Sequence, residues 1–128
     1  MEPSKLRYTE THEWVSLNGN IARIGVTDHA QREISDVVFV ELPKVGRQVK
    51  PGESVLVVES VKAAFDIYAP LSGSVTKAND KLTQKPELVN QSPFQDGWLY
   101  EMECSDLAEF QALLTEEQYN RTKGAATH

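Results

Sequence analysis

The alternation of apolar and polar residues predicts short strands through the first three quarters of the chain. Apolar runs at residues 14–17 and 21–26 flank Asn-Gly-Asn at 18–20, an arrangement typical of a β-hairpin. Similar runs bounded by Pro or Gly predict further strands at residues 37–42, 55–58, 65–68, 74–77 and 98–102. Short strands at close spacing predict a compact barrel or sandwich of antiparallel sheets.

Helices are predicted beside these strands. Residues 28–34 are predicted to form a short helix, with Asp28 and Gln31 spaced as a capping box. In the last quarter, apolar residues recur at helical spacing behind Asp106, which is placed as an N-cap: Leu107, Phe110 and Leu114. Thr-Glu-Glu-Gln at 115–118 is a second capping box and predicts a C-terminal helix.

The chain is predicted to form one domain over residues 1–128. Its core is expected to span about residues 6–119, followed by a frayed tail at 120–128, because no linker or low-complexity segment interrupts the pattern. The 128 residues are 40% hydrophobic and 25% charged, which is an ordinary globular composition.

Charge and cysteine content narrow the function classes. With 13 basic against 19 acidic residues, the formal net charge is −6, which argues against nucleic acid or an anionic membrane as the main partner. No apolar stretch approaches the roughly 18 residues of a membrane span. Cys104 is the only cysteine, so a reducing compartment is favoured and no multi-cysteine metal site can form. We therefore expect a cytoplasmic protein of bacterial type and no metal, with a processed organelle form as the open alternative.

Residues 53–70 contain the most informative chemistry. Two strand-like runs meet at Ser-Val-Lys-Ala, residues 60–63, so a hairpin would place Lys62 near its tip with the ammonium in solvent. An exposed turn lysine without a special role is the ordinary interpretation. A Schiff-base lysine would need desolvation or a neighbouring cation, whereas the neighbours Glu59 and Asp66 are acids that stabilise the charged amine.

A resemblance adds to this interpretation. The segment Val-Glu-Ser-Val-Lys-Ala-Ala at 58–64, followed by Asp-Ile-Tyr-Ala-Pro at 66–70, resembles the lipoylation segment of glycine cleavage H proteins. It differs from the Asp-Lys-Ala of lipoyl domains in 2-oxoacid dehydrogenase complexes and from the Met-Lys-Met of biotin carriers. The resemblance covers roughly residues 6–119 and includes Thr-His-Glu-Trp-Val at 11–15, Pro-Glu-Leu-Val-Asn at 86–90 and Gly-Trp-Leu at 97–99.

This resemblance implies a mainly β fold, a flattened barrel or sandwich of antiparallel sheets, similar to a lipoyl/biotinyl-domain hybrid. Short flanking helices and a C-terminal helix complete it. The implied cofactor is lipoate, held covalently as an amide of the Lys62 amine. The implied lipoylation turn around that lysine consists of Glu59, Ser60, Val61, Ala63 and Asp66.

By the same resemblance, the chain would be a monomeric carrier that catalyses nothing itself. Glycine decarboxylase (the P protein) would load an aminomethyl group, and aminomethyltransferase (the T protein) would pass it to tetrahydrofolate. Dihydrolipoyl dehydrogenase (the L protein) would reoxidise the dithiol. A lipoyl ligase or octanoyltransferase would supply the lipoyl arm. The alternative is an H-like relay that donates lipoate to other complexes, and an unmodified structural module or a lysine-dependent enzyme also remains open.

The family shelters its loaded arm in a surface cleft. The matching positions are Thr11, Glu13 and Asp66, which would accept hydrogen bonds from the amine of the cargo. The ordinary alternative is that these carboxylates are solvated surface groups.

Three residues depart from the family pattern. Phe65 stands where a small residue is usual, so its ring could shade the arm or alter a partner contact. Ser35 stands where glycine is usual after the short helix, and would be strained if that position needs a positive φ. Glu33 stands where some relatives carry histidine, so we expect a more acidic cleft.

Overall fold

The computed structural model describes residues 6–126 and the side chains of residues 6–121. Within this part the chain forms nine strands and five helices. The strands are β1 (Arg7–Tyr8), β2 (Glu13–Asn18), β3 (Ile21–Val26), β4 (Val37–Glu41), β5 (Gln48–Val49), β6 (Ser54–Ser60), β7 (Ala64–Tyr68), β8 (Gly73–Ala78) and β9 (Tyr100–Cys104). The helices are α1 (Asp28–Ile34), α2 (Lys81–Gln84), α3 (Leu88–Gln91), α4 (Leu107–Gln111) and α5 (Glu116–Ala126).

The strands form two antiparallel sheets. The larger sheet has the order β1-β2-β3-β9-β8-β5, and the smaller has the order β4-β6-β7. Both contribute to one apolar core, in which Val58 and Ile67 of the smaller sheet are buried with Ile24 and Met102 of the larger. The prediction of a mainly β sandwich with short helices is confirmed.

The predicted hairpin over residues 14–26 is present as β2 and β3. Gly19 has a φ of 65°, which glycine adopts without the steric penalty of a Cβ, so the two strands can reverse within two residues. The last strand begins at Tyr100 rather than at the predicted residue 98. Residues 97 and 98 instead close turns, with the Gly97 amide donating to Ser92 and the Trp98 amide to Gln95.

The helix caps follow the sequence with one correction. The N-cap of α1 is Thr27, whose Oγ1 accepts from the Ala30 amide at 3.2 Å, and Asp28 is the first helical residue. Asp28 still accepts a hydrogen bond from the Gln31 side chain. Asp106 caps α4 as predicted.

The helix predicted from the spacing of Leu107, Phe110 and Leu114 is shorter than expected. Helix α4 ends at Gln111, and Leu114 instead forms a β-bridge with Tyr8, with backbone hydrogen bonds of 2.8 and 2.9 Å. The second capping box is present, because Thr115 and Gln118 exchange side-chain to amide hydrogen bonds. Helix α5 runs through Ala126, so residues 120–126 are helical where a frayed tail is predicted, and residues 127–128 lie outside the described residues.

Buried Tyr119 attaches the start of α5 to the sheet. Its ring stacks on Tyr8 with centroids 4.7 Å apart, and its hydroxyl lies 2.8 Å from both Thr27 Oγ1 and His12 Nδ1. No helix among residues 6–126 combines the length and apolar character needed to cross a bilayer.

Candidate functional site

Lys62 lies at the tip of the hairpin formed by β6 and β7. Glu59 pairs with Ala64, and the Ser60 amide donates to the Ala63 carbonyl at 2.9 Å, so only Val61, Lys62 and Ala63 lie beyond the paired strands. The lysine is exposed, and the hairpin predicted around it is confirmed. The strands therefore fix the direction from which the amine is presented.

The side chain of Ser60 organises this turn. Its Oγ accepts from the Lys62 amide at 3.1 Å and from the Ala63 amide at 3.2 Å, and it donates to the Ala63 carbonyl at 3.2 Å. A short hydroxyl side chain can bond to the backbone two or three residues ahead in this way, which stabilises a tight turn. A longer or apolar side chain at position 60 would leave both amides to solvent.

The C-terminal end of α1 supports the turn from one side. The Val61 amide donates to the Asp36 carbonyl at 3.0 Å, and Lys62 Nζ donates to the Glu33 carbonyl at 3.3 Å. Glu33, one of the three residues that depart from the family pattern, therefore lies beside Lys62. Its carboxylate lies 2.8 Å from His29 Nε2. Thr11 and Glu13 line a surface cavity, and Glu33 is not among the residues that line it.

Ser35 has the positive φ that is expected at a position where glycine is usual. Its φ is 72° and its ψ is −161°. Asn90 holds the segment in place, because its Nδ2 donates to the Ser35 carbonyl at 2.7 Å and its Oδ1 accepts from the Val37 amide at 2.8 Å. The condition under which strain is expected here, a positive φ at a residue with a Cβ, is therefore met.

Phe65 does not extend over the turn. Its ring is half-buried and packs against the main core, and it pairs with fully buried Val58. Successive strand residues point to opposite faces, so Ala64, Asp66 and Tyr68 share the other face of β7. The Phe65 ring therefore points towards the core, and any effect of this residue on the arm or on a partner contact stays a prediction.

A cavity of about 630 Å³ lies at one end of the sandwich and contains two of the three predicted cleft residues, Thr11 and Glu13. Segments distant in sequence form its walls: Tyr8, Thr9, Glu10, Pro51, Gly52, Tyr68, Ala69, Pro70, Ala112, Leu113 and Leu114. The lining is thus apolar on several sides and acidic at Glu10 and Glu13.

Glu13 is almost fully buried, at 1% exposure. Its Oε1 accepts from the hydroxyls of Thr9 and Thr11 at 2.5 Å each, and its Oε2 accepts from the Tyr68 amide at 3.5 Å. Burial raises the pKa of Glu13 above its ordinary value of 4.5, and these hydrogen bonds act in the opposite direction. A cation that binds beside a buried carboxyl favours its charged form.

Asp66 is not part of this constellation. It is exposed, accepts from Ser54 Oγ at 2.9 Å and does not line the cavity. It lies on the same face of β7 as Ala64 and Tyr68, and the four residue steps between those two span about 13 Å at the usual strand rise. Asp66 therefore lies between the lysine turn and the cavity.

Sequence reasoning did not find Thr9, Tyr68 or the wall at residues 112–114. Thr9 lies two residues before the motif at 11–15, and its bond to Glu13 depends on the bend between β1 and β2. Residues 112–114 reach the cavity only because Leu114 bridges Tyr8. No local pattern in the sequence carries that information.

The fold and site define a class of protein, a small β-sandwich that presents one exposed lysine at the tip of a hairpin. Residues 6–125 match the sequence model of the family described as glycine cleavage H-protein. A glycine cleavage system H protein of Thermotoga maritima is 54% identical over 113 residues, covering 88% of this chain and 91% of the relative. A probable glycine cleavage system H protein of Aeropyrum pernix is 53% identical, covering 89% of this chain and 80% of the relative.

The architecture agrees with these relationships. The crystal structure of a glycine cleavage system H protein from Mycobacterium marinum superposes with a TM-score of 0.87 at 34% identity, covering 96% of this chain and 99% of the other. The chain belongs to the glycine cleavage H-protein family, whose members are the lipoyl carriers of the glycine cleavage system.

Proposed function

We propose that Lys62 carries lipoate in amide linkage and that this chain shuttles an aminomethyl group without catalysing any step itself. Its partners would be glycine decarboxylase, aminomethyltransferase and dihydrolipoyl dehydrogenase, after a lipoyl ligase or octanoyltransferase has attached the arm. The observation that carries the proposal is the exposed Lys62 amine at the tip of a two-stranded hairpin. We further propose that these encounters occur in the cytoplasm.

The environment of Lys62 suits an acceptor of a modifying group rather than a nucleophile for turnover. Its Nζ contacts only a backbone carbonyl among the described residues, and the side chain lies in solvent. A Schiff-base lysine needs a desolvating pocket or a nearby cation. An amide at Nζ removes the positive charge of the lysine. The attached arm is long enough for its far end to extend away from the protein surface.

The cavity around Glu13 supports a sheltering role. The lipoyl arm, when present, would supply the dithiol chemistry. This chain would supply apolar walls such as Pro70 and Leu114, with the Glu13 carboxylate to accept hydrogen bonds from a cargo amine. Removal of water from around a labile group slows its hydrolysis. Asp66 is proposed as a further acceptor on the way between Lys62 and this cavity.

The test is glycine-dependent turnover reconstituted with the purified partner enzymes and the lipoylated chain. We expect activity with the wild type and none with Lys62→Arg, because arginine cannot form the lipoyl amide. Lys44→Arg, at another exposed lysine, is the matched control and should retain full activity. Turnover by the Lys62→Arg variant would contradict the proposal. Donation of lipoate to other complexes without glycine turnover would instead favour the relay function.

The sheltering role has its own test. Glu13→Gln should still be lipoylated at Lys62, but its loaded form should release cargo into water faster than the wild type. Glu87→Gln, at an exposed position that does not line this cavity, is the control, because it removes one carboxylate charge without changing the surroundings of the cargo. Equal hydrolysis rates for Glu13→Gln and wild type would refute this role.

A further inference from the structure

The face of the smaller sheet that points away from the core has an unusual composition. Directly paired residues lie on one face, so Phe39, Glu59 and Ala64 form one cross-strand row and Glu41, Val57 and Asp66 form the next. We call these six residues the outer face. It adjoins Lys62, because the row of Glu59 and Ala64 is the last pairing before the turn.

Large apolar side chains are exposed where the outer face meets the lysine turn. Val38 is 54% exposed, Phe39 48% and Val61 68%. The register of β4 on β6 shifts between Val37 and Phe39, so the bulge leaves both Val38 and Phe39 outside the core. Exposed apolar groups gathered at one place mark interaction surfaces, whereas isolated ones need no explanation.

The charges on the outer face have one sign. Glu41, Glu59 and Asp66 are all exposed, and none has a cationic side-chain partner among the described residues. Glu59 is diagonal to both other carboxylates across the register, at the roughly 7–8 Å typical of diagonal neighbours, so these like charges repel one another. A partner with a basic surface would relieve this repulsion and be attracted from a distance.

We propose that the outer face, with Val38 and Val61, is the docking surface for the enzyme that acylates Lys62. This inference rests on the proposed function. An acylating enzyme must bring its reacting carbonyl to about 3–3.5 Å from Nζ, so its body has to cover the surroundings of the turn. Enzymes that act on the far end of the arm are free of that constraint. The enzyme's contact surface carries an apolar recess for Phe39 surrounded by arginine or lysine.

The covalent step is balanced without a redox partner. The Lys62 amine, after loss of a proton, forms a bond to the activated acyl carbon. The bond from that carbon to its leaving group, an adenylate or a thioester, breaks with the electron pair on the leaving group. The outer face takes no part in these bond changes and determines only how well the enzyme holds the carrier.

The experiment measures acylation of the unmodified full chain by a purified lipoyl ligase with lipoate and ATP, over a range of carrier concentrations. We expect Phe39→Ala to raise the KM for the carrier about tenfold with kcat unchanged, because an exposed aromatic anchor commonly contributes this much to binding. Glu41→Gln should raise KM several-fold and weaken its dependence on salt. The matched controls Leu107→Ala and Glu103→Gln, at exposed positions away from this face, should keep the wild-type KM.

The outcomes separate the two proposals. A wild-type chain that is never acylated at Lys62 would overturn the proposed function and the docking surface with it. Efficient acylation of wild type with an unchanged KM for both Phe39→Ala and Glu41→Gln would overturn the docking surface alone. If Phe39→Ala lowers the unfolding midpoint, Glu41→Gln decides, because a charge removed from an exposed position next to like charges should leave the fold intact.

Discussion

Ser35 offers a direct test of how the end of α1 is built. Its φ of 72° with ψ of −161° lies in a region that glycine occupies freely and other residues occupy at a cost of about 1–3 kcal/mol. The conformation persists because both sides of the residue are held. The Ser35 amide donates to the Gln31 carbonyl at 3.0 Å, and the Ser35 carbonyl accepts from Asn90.

Replacing Ser35 by glycine should stabilise the protein. Relief of the backbone strain contributes about 1–3 kcal/mol, while the greater freedom of glycine in the unfolded chain costs about 0.5–1 kcal/mol. The net gain is about 1 kcal/mol in the free energy of unfolding. For a domain of this size, that corresponds to a rise of about 3–6 °C in Tm.

Urea denaturation and thermal unfolding of the purified variants measure this effect. Ser35→Ala is the matched control, since it removes the same hydroxyl and keeps a Cβ in the strained conformation. It should be no more stable than wild type. The reasoning is refuted if Ser35→Gly is no more stable than wild type, or if Ser35→Ala gains as much as Ser35→Gly.

Three further changes test the turn, the cavity and the sheet contact. Ser60→Ala should speed hydrogen exchange of the Lys62 amide, because the hydroxyl that accepts from it is lost; unchanged exchange would contradict the role given to Ser60. Because the pKa of Glu13 is raised in the folded state, the folded state binds more protons than the unfolded state between the two pKa values, so wild type should lose stability as pH rises through that interval. Glu13→Gln should remove that part of the pH dependence of the unfolding free energy measured by urea titration. An unaltered pH dependence would contradict its assignment to Glu13. Gly73→Ala should destabilise by about 1–3 kcal/mol in urea denaturation, because a Cβ there would lie 1.9 Å from the Glu103 carbonyl oxygen; wild-type stability would show that the strands can separate freely.

The sequence predicts the longer strands because apolar residues alternate over four or more positions and glycine or proline ends each run. The two-residue strands β1 and β5 and the four-residue helices α2 and α3 are too short for any period to be evident. The error at Asp28 has a local cause, since threonine and aspartate are both good N-caps and stand side by side.

The site, like the fold, has one part that the sequence predicts and one part that it does not. Lys62 and its turn are predictable because β6, the turn and β7 are continuous in sequence. The cavity around Glu13 is not, since residues from β1, the loop before β6 and the segment after α4 meet only in the folded chain. The family resemblance groups Asp66 with Glu13. In the structure, Asp66 is exposed on β7 and does not line the cavity around Glu13.

The central claim is that Lys62 is the point of lipoate attachment. Intact-mass and peptide mass spectrometry of the protein from its native source tests this most directly. The account predicts a lipoyl-amide increment that maps to Lys62 and to no other lysine. Unmodified Lys62 in native protein, from cells whose lipoylation enzymes are demonstrably active, would contradict it.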